Sequence, residues 1–142
     1  MTLTAVQQRR LGTLERFRLA CEIAIAYAQA RRALHRAPID AVLGSLRADS
    51  SRRAELTPAE TLAQARRLGR AVARVLAVLP GDTRCLVRSL VLTRLLAERG
   101  ITTKLVIGTR SEPEFLAHAW VEHEGEPVLS PGDGSFARLA EL

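Results

Sequence analysis

The chain has 142 residues, 47% of them hydrophobic and 4% aromatic, with two cysteines, three histidines and a formal net charge of +6. That length suits a single core, and no Gly/Ser-rich linker or internal repeat divides the chain, so one domain spanning residues 1–142 is expected, with a helical N-terminal part (1–56) and a core (57–142). Residues 1–10 lack the apolar stretch of a secretory signal and no run of about eighteen apolar residues occurs, which excludes a membrane-spanning helix and makes the cytoplasm the expected compartment.

The charge is uneven: residues 1–99 carry 18 arginines against 8 acidic residues, and residues 100–142 carry 3 basic residues against 7 acidic ones. The arginines are scattered over several helices, aromatic residues are few and the second half is acidic, so no nucleic-acid partner is expected. The basic faces read chiefly as solvated surface. The other reading is a docking surface for an acidic partner, with Arg66 and Arg70 as its probes.

In chain order, the first helix is expected from about residue 4 to 36, before Pro38, with the apolar stripe Leu14, Phe17, Cys21, Ile25 and Ala28 turned to the core and Cys21 acting as a buried small hydrophobe. A short helix follows over 39–47, then a polar stretch over 48–55. The next helix has the clearest start: Thr57 as N-cap, Pro58 at the first helical position and Glu60 three residues after the cap. Its stripe Leu62, Ala65, Leu68, Val72, Val75 and Leu79 should lie against a third long helix over 85–99, closed by Gly100. That helix is apolar on most sides and reads as central. Two antiparallel strands are expected over 103–109 and 114–124, and Glu124-Gly125 turns the chain into a third over 126–129.

Cys85 opens the central helix behind Pro80-Gly81-Asp82-Thr83, a turn with candidate N-caps, so its thiol sits in the first helical turn. A helix N-terminus and a nearby imidazole both favour the thiolate that attacks carbonyls. His118, on the middle strand, shares a face with Leu116, Trp120 and Glu122 because strand side chains alternate. His35 and His123 lack a comparable partner and read as surface residues. The residues offer no short paired spacing for zinc, and a Cys21–Cys85 disulfide has little support in a chain without a secretion signal; neither metal nor cofactor is expected.

With Cys85-Leu86, Arg94-Leu95-Leu96, Arg99-Gly100, Leu105-Val106-Ile107-Gly108 and the block Ala117-His118-Ala119-Trp120-Val121-Glu122, the chain resembles the transglutaminase-like, papain-related cysteine enzymes. Within them it is most similar to the leader peptidases of lasso-peptide biosynthesis, over roughly residues 58–142. The resemblance implies an α+β fold in which N-terminal helices pack on a central Cys-bearing helix set against a small antiparallel sheet. It implies a stand-alone cysteine protease that cleaves the leader from a ribosomally made precursor peptide, alongside a separate leader-binding recognition protein and a lasso cyclase, with no membrane partner. Another acyltransferase on this fold, or a non-catalytic peptide-binding module, are the alternatives. The catalytic set is Cys85, His118 and, as orienting acid, Asp133 in Ser130-Pro131-Gly132-Asp133-Gly134. Relatives carry that acid nearer the strand end, where this chain has Ser130, and Glu122 is a further alternative. The Cys85 N–H is the expected oxyanion donor, with the second open among Arg84, Thr83 and a group from the 57–79 helix.

Overall fold

Local start and stop signals place four helices, and β-branched runs most of a sheet, within residues 12–48, 55–79 and 85–142, the parts this computed structural model describes. The capping box at Thr57 forms: its N–H donates to Glu60 Oε2 at 2.9 Å, the Glu60 N–H donates to Thr57 Oγ1 at 3.3 Å, and Pro58 leads the helix. The helices are α1 (Thr13–Leu34), α2 (Ile39–Ala48), α3 (Pro58–Val78) and α4 (Cys85–Glu98). Residues 80–84, with the expected turn and N-caps before Cys85, lie outside the described residues, as do residues 1–11.

Helix α4 is central, as its apolar circumference requires. It packs against α1, α2, α3 and the sheet, and Leu90, Leu92, Leu95 and Leu96 are each at most 1% exposed. Burial on that scale stabilises by about 1.5–3 kcal/mol per side chain. One hydrophobic cluster takes in Ile23 and Ala26 of α1, Val42 and Leu43 of α2, Val72 and Leu76 of α3, α4, and Leu105 and Val121 of the sheet.

The face that α1 buries differs from the expected one. Ile23, Ala26, Tyr27 and Ala30 point inward, while Leu14 (81% exposed), Phe17 (68%), Cys21 and Ile25 (59%) face solvent. The helix is apolar on two opposite sides, and the side with Ala26 and Ala30 lets the backbone approach α4. Cys21 is therefore a surface thiol, not a core residue, and both cysteines are free.

The sheet contains β1 (Lys104–Arg110), β2 (Leu116–His123), β3 (Glu126–Pro127) and β4 (Ala137–Glu141) in the order β3-β2-β1-β4, with β1 antiparallel to both neighbours. The third strand is two residues long rather than four. Beyond it, the Val128 and Leu129 N–H groups both turn onto the Val121 carbonyl, at 2.8 and 3.3 Å. Strand β4 adds to the expected elements, and its sequence Ala-Arg-Leu-Ala-Glu is built from good helix formers. The open edge of β1 overrides that preference, and Leu105 and Leu142 exchange both backbone hydrogen bonds, at 2.9 and 2.8 Å. The architecture is α+β, with no helix among the described residues long and apolar enough to cross a membrane.

Candidate active site

Cys85 is the first described residue of α4. Its half-buried thiol meets β2 directly: the Ala119 N–H donates to Cys85 Sγ at 3.3 Å. His118 is the residue before Ala119, and Cys85 and His118 line one cleft of about 310 Å³ between α3, α4 and the segment that leaves β3. A larger cleft of about 600 Å³, between the start of α3 and residues 100–104, contains neither cysteine nor His118, and we place the chemistry in the smaller one.

The expected alternation of β2 is realised. His118 stacks on Trp120 with ring centroids 5.9 Å apart at 24°, and the Phe136 ring flanks it at 5.2 Å. Trp120 in turn donates its indole N–H to Glu122 Oε1 at 2.9 Å, and Arg138 grips both Glu122 oxygens at 2.6 and 3.1 Å. Glu122 is thereby engaged away from the imidazole. Gly108 stands opposite His118 in the register, and a Cβ there would lie 2.8 Å from the Trp120 ring and 3.0 Å from Phe136 Cβ. Only glycine leaves room for the stack.

The partner of the imidazole is a backbone group. His118 Nε2 lies 2.9 Å from the Ser130 carbonyl oxygen, which only accepts, so Nε2 carries the proton and Nδ1 is the basic nitrogen. Asp133 is placed elsewhere. It pairs with Arg110 Nη1 at 3.2 Å, accepts the Ser135 N–H at 2.9 Å and is bonded by the Ser135 hydroxyl. Arg110 lies over the Phe136 ring at 5.2 Å, and that ring flanks His118. His123 is half-buried rather than simply exposed, with Nδ1 2.7 Å from the Thr102 carbonyl, whereas His35 is on the surface.

The Ser135 hydroxyl, then its N–H, and more weakly Arg110 hold the Asp133 carboxyl below its ordinary value. A lowered folded value means that its contribution to stability is present above the unfolded value of about 3.9 and fades as pH falls through the folded one. In a carbon-detected NMR titration, Asp133 is expected to protonate below about 3.9, and Ser135→Ala to move the midpoint upward. An unmoved midpoint would refute this assignment of the cause.

Arg88 of α4, which the sequence does not single out, also lines the cleft, as does Arg70 of α3, the helix expected to offer a group to the site. Arg88 lies three residues beyond Cys85 on the helix, a spacing visible in the sequence. Arg70 reaches the cleft only through the packing of α3, and the Ser130 carbonyl has no side-chain signature at all. Arg66 bonds the Pro127 carbonyl at 3.3 Å and Glu126 at 3.2 Å, tying α3 to β3. Among the described residues no cluster of three or more His, Cys, Asp or Glu is placed to hold a metal.

The family model of the transglutaminase-like superfamily matches residues 13–141, from the first residue of α1 to the last of β4. No curated protein and no solved structure matches the chain.

Proposed function

Because this chain belongs to the transglutaminase-like superfamily, whose members commonly act as cysteine proteases or acyltransferases, we propose that it is a cysteine endopeptidase that removes the leader from a ribosomally made lasso-peptide precursor. The observation that carries the chemistry is the shared cleft of Cys85 and His118, with the Ala119 N–H on the sulfur. The block Ala117–Glu122, which forms most of β2, supports the narrower choice of substrate, and a cyclase would then close the macrolactam on the freed core.

His118 Nδ1 takes the Cys85 proton, and the thiolate adds to the scissile carbonyl, with the Cys85 N–H facing the developing oxyanion. As the C–N bond breaks, the same nitrogen returns the proton to the leaving amine and a thioester remains. Water, deprotonated by Nδ1, then releases the leader as a carboxylic acid and regenerates the thiol. The Ser130 carbonyl keeps Nε2–H in place throughout, so Nδ1 stays presented to the cleft. Selectivity for one bond in one precursor is drawn mainly from docking the leader on a separate recognition protein, since the cleft itself is small. The enzyme would work in the cytoplasm, without a cofactor.

The test is mass spectrometry of a lasso-type precursor incubated with the protein and a leader-binding partner, beside Cys85→Ala. Two fragments whose masses sum to the precursor plus water, absent with the variant, are the expected result. A new amide bond instead of fragments would make the chain a transferase, and cleavage retained by the variant would remove the nucleophile assignment.

A further inference from the structure

We propose that the cleft beside Cys85 is a carboxylate subsite, built by Arg88 and Arg70, that selects an acidic side chain of the substrate peptide close to the bond being cleaved. This rests on the reading of Cys85 as nucleophile, and adds a chemical preference that the nucleophile alone does not imply. Arg70 and Arg88 line the same 310 Å³ space as Cys85 and His118, and among the described residues no Asp or Glu lines it. The neighbouring carboxylates are engaged elsewhere, Glu126 with Arg66 and Asp133 with Arg110.

Arg88 supplies the second, independent observation: its Nε is fully buried and has no hydrogen-bond partner among the described residues. A buried charged donor without an acceptor is costly and uncommon in folded proteins. A carboxylate that enters the cleft and draws the Arg88 side chain toward it satisfies that donor, and a guanidinium fork matches a carboxylate with two parallel N–H···O bonds. Arg70 is exposed at the cleft from the α3 side, so an entering carboxylate meets positive charge from two helices. Arg88 lies one helical turn from Cys85, which puts the selected side chain within about one or two residues of the scissile carbonyl.

The test uses two small alkylating reagents of the same reaction type, iodoacetate and iodoacetamide, in both of which a thiolate displaces iodide. Taking the ratio of their rates at one cysteine cancels the thiolate fraction and leaves the response to the reagent's charge. Cys21, exposed on α1, is the reference within the same molecule, and peptide mapping by mass spectrometry reads both sites at once. The iodoacetate-to-iodoacetamide ratio at Cys85 is expected to exceed that at Cys21 by about tenfold or more at low salt, and to shrink as salt rises. The double variant Arg70→Gln/Arg88→Gln, shown to be folded by its circular dichroism, should bring the two ratios within about twofold; Arg88→Lys should keep part of the difference. Equal ratios at the two cysteines of the unaltered protein overturn the subsite while leaving the nucleophile in place. A Cys85 that reacts with neither reagent while Cys21 reacts overturns both.

Discussion

Replacing His118 by alanine is expected to lower leader cleavage by about 10²–10⁴-fold, the usual worth of a positioned acid–base group, whereas Asp133→Asn should cost less than about tenfold. The contrast follows from where the hydrogen bonds go. In a triad whose orienting group is a carboxylate, changing that group to an amide presents the wrong tautomer and costs about 10⁴-fold. Here the Nε2 partner is the Ser130 carbonyl, whose acceptor no side-chain substitution removes. Asp133 instead holds Arg110 and Ser135, which steady the loop carrying Phe136 against the imidazole. Its loss should loosen that support without reversing the tautomer. Steady-state kinetics on the three proteins decides the matter. A loss for Asp133→Asn as large as that for His118→Ala would mean that the carboxylate reaches His118 in the working enzyme, and that the arrangement derived above is wrong.

The second large effect is expected at Gly69, in the interior of α3. Helix propensity alone predicts that Gly→Ala stabilises by about 1 kcal/mol. The tertiary structure predicts the opposite sign, because a Cβ at Gly69 would lie 2.7 Å from the Val128 carbonyl oxygen. That neighbour is backbone, fixed by the Val128 N–H bond to Val121 at 2.8 Å, and cannot swing away as a side-chain tip would. Overpacking of this kind costs about 1–3 kcal/mol. Gly69→Ala should therefore lower Tm by roughly 3–8 °C. It should also reduce turnover, since the displaced strand end leads two residues later into Ser130. Gly44 of α2 has open space where its Cβ would be and serves as the control. Gly44→Ala should leave Tm unchanged or raise it, and a rise for both variants would show that α3 and residue 128 do not approach this closely.

Much of the frame was legible before any coordinates. Thr57, Pro58 and Glu60 announce the start of α3, because caps are satisfied by residues within one turn. The all-round apolar character of 85–98 announces a central helix, because every side of it has to be covered. Alternation along β2 places His118, Trp120 and Glu122 on one face. What the sequence leaves open lies in choices between locally equivalent options. The two apolar stripes of α1 both fit a helix, and shape complementarity to α4 selected Ala26 and Ala30 over Phe17 and Ile25. The segment Ala137–Glu141 has helical propensity, yet the unpaired edge of β1 made it a strand.

The site divides along the same line. The residue types and spacing of the chain determined that Cys85 would lie on a helix and that His118 would stand on a strand beside an aromatic neighbour, since both follow from the backbone periodicity of one element at a time. Folding in three dimensions decided which atom orients the imidazole, that Arg70 and Arg88 line the cleft of Cys85, and that Asp133 and Glu122 are occupied by Arg110 and Arg138. Those outcomes depend on the directions in which separate elements approach and on a backbone carbonyl that every residue possesses, so they arise only when the elements pack.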